Sequence, residues 1–148
     1  MELKERLNYK KAAPGVYKAM LGLHEYLLSC GIDHKLLDLI YLRVSQINGC
    51  AFCIDMHWSD LKKAGEPDKK LYLLNAWKES PGFTERERAA LEWAESLTLV
   101  SQTQAPDHVY DLVCQHFSDA ELANLTLAVV TINGWNRLNV GFRTPPAN

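Results

Sequence analysis

The chain has 148 residues, 47% of them hydrophobic, enough to bury one ordinary core, so a single domain over residues 1–148 that needs no disulfide staples is expected. The 16 Lys and Arg residues are scattered and outnumbered by 18 Asp and Glu, for a formal net charge of −2, which excludes nucleic acid as a natural partner. The start MELKERLNYKK is charged rather than apolar, and no apolar run approaches the roughly 20 residues that cross a bilayer; a cytoplasmic protein with no membrane partner is expected, and in that compartment four cysteines are not a disulfide scaffold.

The spacing of apolar residues predicts helix after helix and no strand. Pro14 opens the first, with Val16, Ala19, Met20, Leu23, Leu27 and Cys30 along one side and Gly31 as its stop. Asp33 caps a second, in which Leu36, Leu37, Ile40, Val44 and Ile47 repeat at helical spacing until Asn48-Gly49 breaks it. CAFCIDMHWSDLKKA, from Cys50, reads as a third that stops at Gly65, and Pro67 opens a short fourth with Leu71, Leu74 and Trp77. Ser80-Pro81-Gly82 is the strongest hinge in the sequence. Thr84 and Glu87 form a capping box for a fifth helix carrying Ala90, Leu91, Ala94 and Leu97; a sixth runs from near Pro106 to Phe117. Ser118 and Glu121 form another capping box, and the run from Leu122 to Ile132 promises the most buried helix; RTPPAN after Phe142 cannot continue it.

One internal echo stands out. Leu42, Val44 and Ile47-Asn48-Gly49 recur as Leu127, Val129 and Ile132-Asn133-Gly134, with Trp135 where the first copy has Cys50. A duplicated helical unit and a chance match between two apolar helices ending in Asn-Gly fit equally well.

The chemistry sits at Cys50-Ala51-Phe52-Cys53 with His57 four residues on. A two-residue gap at the start of a helix lets the thiols meet, so a disulfide can form and open with little backbone movement. Helix geometry puts Cys53 and His57 one turn apart on one face, where imidazole can take the thiol proton, and the positive end of the helix dipole favours thiolate. A base needs an orienting acid. Of Asp38, Asp55 and Asp60, only Asp38 belongs to another helix able to pack across the site. Spacing alone leaves two other readings open: half a zinc site has the same Cys-x-x-Cys form, and two cysteines can simply be buried neighbours. Cys30 and Cys114 read as small buried hydrophobes, and His24, His34, His108 and His116 as surface or capping residues. Phe52, Met56, Trp58 and Trp135 could line an entrance, but at helical spacing they read first as core or subunit contact; Asn136 and Arg137 read as structural.

The stretch LDLIYLRVSQINGCAFCIDMH, Leu37 to His57, closely resembles the signature of the alkylhydroperoxidase AhpD-like branch of the carboxymuconolactone decarboxylase family. LEWAESLT from Leu91, HFSDAELANLTLAVVTINGWNRLNV from His116, and Phe142-Arg143 resemble its second half. The resemblance implies an all-α, AhpD-like domain of about six to seven helices that assembles into trimers or hexamers, with no metal, haem or other cofactor. It implies a peroxidase centre in which Asp38, Cys50, Cys53 and His57 form a proton relay, a peroxide is the substrate, and a thiol reductant such as a dihydrolipoyl carrier or a thioredoxin-like protein reopens the disulfide. Two departures from the family pattern are visible: the relay acid is usually Glu, so Asp38 is one methylene short and would meet His57 through a water or not at all, and Phe52 stands where some members carry a relay His.

The mechanism expected is attack by Cys53 on the peroxide with His57 as base, then condensation with Cys50; the reverse order of the two cysteines remains open. Lactone decarboxylation, which gives the larger family its name, has no evident use for a redox pair. A disulfide reductase or redox sensor would use the same residues, and a non-enzymatic helical interaction protein would leave the pair buried or zinc-bound.

Overall fold

The computed structural model describes residues 3–147. These residues form α1 (Tyr9–Ala12), α2 (Pro14–Ser29), α3 (His34–Asn48), α4 (Ala51–Lys63), α5 (Asp68–Tyr72), a 3-10 segment (Leu74–Glu79), α6 (Glu85–Thr98), α7 (Val100–Thr103), α8 (Asp107–Cys114) and α9 (Asp119–Phe142), with no strand among them. The fold is all-α.

The start signals act as the sequence predicts. The Asp33 carboxylate accepts from the Leu36 N–H at 3.3 Å, and both capping boxes, Thr84 with Glu87 and Ser118 with Glu121, close reciprocally; caps of this kind are worth about 1 kcal/mol each. Three short pieces escape the sequence pattern. The four-residue helices α1 and α7 are too short to show a period. After Pro67 the expected single helix divides, because Ala76 leaves helical geometry (φ −116°, ψ 30°) so that Leu74 and Trp77 can both turn inward.

The most buried helix is α3, not the last one. Leu36, Leu37, Leu39, Ile40, Tyr41, Leu42, Val44 and Ser45 are all buried, because α4, α6 and α9 pack around α3. Burial of each large apolar side chain there is worth roughly 1.5–3 kcal/mol. Helix α9 buries Leu122, Leu125, Ala128, Val129 and Ile132 on one side and leaves Val130 and Val140 in solvent. Nor does Asn133-Gly134 end it: the helix continues to Phe142, and a Cβ on Gly134 would lie 2.9 Å from Met20 Cε, so glycine here marks close approach of α2 rather than a helix stop.

Ser80-Pro81-Gly82 is not a free hinge. The Arg88 guanidinium donates to the carbonyls of Trp77 (2.9 Å), Lys78 (2.9 Å) and Ser80 (3.1 Å), which pins the turn to α6. Cys114 is exposed at the end of α8, against the expectation of burial, whereas Cys30 packs half-buried against the core. Among the described residues no helix is long and apolar enough to cross a membrane.

Candidate active site

The site begins where α3 ends. Gly49 takes a left-handed conformation (φ +68°), its N–H donating to the Gln46 carbonyl at 3.3 Å, and the Cys50 N–H donates to the Ser45 carbonyl at 3.0 Å. This paired closure satisfies two carbonyls that the helix end would orphan, and it requires a residue without Cβ strain at position 49. A polar cluster fixes the turn from behind. Asn48 Nδ2 donates to Asn133 Oδ1 (2.9 Å) and Asn136 Oδ1 (3.0 Å), and Asn136 Nδ2 donates to Ser45 Oγ (3.0 Å). The two asparagines of the sequence echo therefore meet in space, binding the end of α3 to the middle of α9.

Helix α4 starts on sulfur. Cys50 is its N-cap, and Cys50 Sγ accepts from the Cys53 N–H at 3.3 Å. Cys50 and Cys53 are joined as a disulfide, their Cα atoms 5.3 Å apart. Each is only 1% exposed. Asn139 on α9 reaches the pair from the other side, with Nδ2 3.7 Å from Cys53 Sγ; its Oδ1 accepts from Tyr9 Oη at 3.4 Å, which fastens α1 over this end of α9. Cys50 Sγ thus meets a backbone donor and Cys53 Sγ an amide donor at the positive end of the helix.

One turn beyond Cys53, His57 is 5% exposed. Its ring packs at 4.9 Å from that of Tyr41 on α3, and its Nδ1 lies 3.6 Å from Asp38 Oδ1, just outside hydrogen-bond reach. His57 Nδ1 has no hydrogen-bond partner. Helix packing between α3 and α4 thus brings acid and imidazole face to face, and the short Asp side chain leaves a gap between them.

A cavity of about 270 Å³ opens onto this arrangement, and its walls include Asp38, Cys53 and His57 but not Cys50. Tyr17, Leu21, Phe52, Met56 and Trp135 supply its apolar side; Lys10, His24, Asp60 and Asn139 supply polar groups. Three of the four aromatic and Met residues first read as core or contact therefore line the opening, and Trp58 does not. His24, expected at the surface, is a cavity residue. Burial and the nearby His57 charge hold its imidazole below the ordinary pKa, against the pull of Asp38 and Asp60. Burial, followed by the charge of Asp38, pushes the Tyr41 hydroxyl pKa upward. His34 is exposed at the mouth, its Nε2 3.0 Å from the Leu28 carbonyl.

All four predicted site residues are brought together, Cys50 behind the cavity wall and the other three on it. The sequence reading missed Asn139, Tyr41 and His24. Asn139 did leave a signal: Asn133, Asn136 and Asn139 repeat every third residue along the second half of α9, a polar stripe at core-facing spacing that must find partners. Among the described residues the one group of three His, Cys, Asp or Glu side chains close enough to share an ion is Asp38, His57 and Asp60, and it contains no cysteine.

Residues 14–96 match the model of the carboxymuconolactone decarboxylase family. The chain belongs to that family. It is 39% identical over 138 residues to the uncharacterized protein YdfG of Bacillus subtilis, a match that covers 93% of this chain and 94% of that protein. A solved structure from Agrobacterium tumefaciens, of a protein of unknown function provisionally described as an AhpD antioxidant-defence protein, superposes with a TM-score of 0.96 at 43% identity over 98% of this chain and 99% of that one. A shorter match, 57% identical over 35 residues, links the chain to alkyl hydroperoxide reductase AhpD of Coxiella burnetii; it covers 24% of this chain and 20% of that protein.

Proposed function

We propose that this carboxymuconolactone decarboxylase family member is a thiol-dependent hydroperoxidase that works by a Cys50–Cys53 disulfide cycle, with His57 as base and Asp38 as its orienting acid. The observation that carries the reading is the unequal setting of the two sulfurs: Cys53 lines the cavity beside His57, whereas Cys50 caps the helix behind the wall. In the reduced protein His57 takes the Cys53 proton. The thiolate attacks one peroxide oxygen, the O–O bond breaks, and the departing alkoxide takes a proton to leave as an alcohol, with Cys53 oxidised to sulfenic acid. Cys50 sulfur then attacks Cys53 sulfur, hydroxide leaves with the Cys50 proton as water, and the disulfide is made. A dithiol reductant attacks the disulfide, passes through a mixed disulfide, and leaves oxidised, returning both thiols.

Exposure narrows the reductant. Sulfurs in residues 1% exposed offer no surface to the flat face of a thioredoxin-like protein, whereas a slender dithiol such as a dihydrolipoyl arm can enter through the cavity. The same reading has the enzyme acting in the reducing cytoplasm as a homo-oligomer, trimer or hexamer; Val16, Val130 and Val140, apolar but exposed on α2 and α9, are the kind of surface such an assembly covers.

Trapping the sulfenic acid with a dimedone-type reagent in Cys50→Ser and Cys53→Ser variants tests the assignment. The adduct is expected on Cys53 of the Cys50→Ser protein and absent from the Cys53→Ser protein. An adduct found only in Cys53→Ser would reverse the roles, and none in either would refute peroxide chemistry at this pair.

A further inference from the structure

Two carboxylates, Asp38 and Asp60, face the cavity with imidazoles near them and, among the described residues, neither Lys nor Arg in ion-pair contact. Among the described residues no Lys or Arg nitrogen lies within 4.0 Å of Asp38 or Asp60; the one ion-pair contact of Asp38 is with His57, and Asp60 has none. Negative charge at the edge of a partly buried pocket is costly unless a cation answers it. The third group is His57, whose buried Nδ1 points at Asp38 and lacks any hydrogen-bond partner. The three ligand atoms lie within 4.8 Å of one another.

We infer that Asp38, His57 and Asp60 form a divalent-cation site, and that its ion is Zn²⁺. The distances suit it. Zinc bonds to N and O of about 2.0–2.2 Å at a tetrahedral angle put neighbouring ligand atoms about 3.3 Å apart, and Nδ1 and Oδ1 already stand at 3.6 Å. Asp60, partly exposed on the last turns of α4, closes the remaining gap by a side-chain rotation, and water entering from the cavity fills the fourth position. An imidazole ligand and so small a ligand set select Zn²⁺ over Mg²⁺ or Ca²⁺, which prefer six or more oxygens. The site uses no cysteine, so it is available while the disulfide is intact, and it differs from the zinc arrangement that Cys-x-x-Cys spacing brings to mind.

The consequence is control of the redox cycle. A Zn²⁺ ion held by Nδ1 and the two carboxylates engages His57 and Asp38 together, so the metal-bound enzyme lacks the free acid–imidazole pair that the cycle uses. This consequence rests on the base role proposed for His57, whereas binding of the ion does not.

Binding is therefore measured on the oxidised protein, without peroxide, by calorimetric titration with Zn²⁺ and in parallel with Mg²⁺, for the wild type, Asp60→Asn and His57→Gln. One Zn²⁺ per chain is expected, with affinity reduced at least about tenfold in each variant and no Mg²⁺ binding at the same concentrations. No zinc binding, or equal binding in wild type and both variants through surface histidines, would overturn the site. Should a variant fail to fold, the ¹⁵N resonance of His57 Nδ1 in wild type decides: it shifts on Zn²⁺ addition if the site is real and stays in place if it is not. Slower thiol loss on adding hydroperoxide to the reduced protein with Zn²⁺ present would then support the inhibitory role, and an unchanged rate with the site occupied would refute that role alone.

Discussion

The tripeptide Ile-Asn-Gly occurs twice, with opposite outcomes. At Ile47-Asn48-Gly49 the chain leaves α3 through a left-handed glycine and starts a new helix on the sulfur of Cys50. At Ile132-Asn133-Gly134 it runs straight on, with Arg137 donating back to the Asn133 carbonyl and Oδ1, the carbonyl at 3.0 Å and the side chain at 2.9 Å. Local propensity is the same in both, so it does not decide. The residues beyond each glycine do: past Gly49 comes a cysteine that can cap a helix, and past Gly134 come Trp135, which packs on Tyr17 of α2, Asn136, which donates to Ser45 of α3, and Arg137, which donates back to Asn133. The two copies then hold each other through Asn48 and Asn133. The straight helix is the brace, and the broken one leads into the cysteine pair.

Removing the brace has the largest expected effect. Asn136→Ala deletes the donor to buried Ser45 Oγ and the acceptor of Asn48, leaves a small cavity, and should cost about 2–4 kcal/mol in urea denaturation; a loss below about 0.5 kcal/mol would mean that the asparagine cluster does not hold the turn. Next comes the turn itself. Gly49→Ala forces a Cβ into left-handed geometry and should cost about 1–2 kcal/mol, together with a slower reaction of the cysteines with hydroperoxide, because Cys50 is aimed by that residue. The same substitution in the other copy should do almost nothing. Gly134→Ala gains about 0.5–1 kcal/mol of helix propensity and loses a similar amount to the flexible end of Met20, so its denaturation midpoint should stay near wild type. Equal effects at positions 49 and 134 would erase the distinction between the two copies.

Much of the fold was legible because its signals are local: proline starts, two capping boxes, and apolar periods in α2, α3 and α6. What was not legible depended on partners distant in sequence. The reading of α9 as the most buried helix followed from its apolar run, but burial is set by how many helices surround an element, and α3 has three large neighbours. The cysteine pair and His57 were visible from spacing, and Asp38 from the helix it had to occupy. Asn139 and His24 were not, since neither lies near Cys53 in the sequence and only the packing of α9 and α2 brings them to the cavity. The aromatic residues were ambiguous for the same reason: Phe52 and Trp135 line the opening only because two separate helices converge there.

The most direct test of the proposed chemistry is to reduce the protein fully, remove the reductant, add one equivalent of an organic hydroperoxide, and measure free thiols and intact mass. Two of the four thiols should disappear, the mass should fall by about 2 Da, peptide mapping should join Cys50 to Cys53, and dihydrolipoamide should restore both thiols. Four thiols unchanged, or a loss confined to Cys30 and Cys114, would contradict the account.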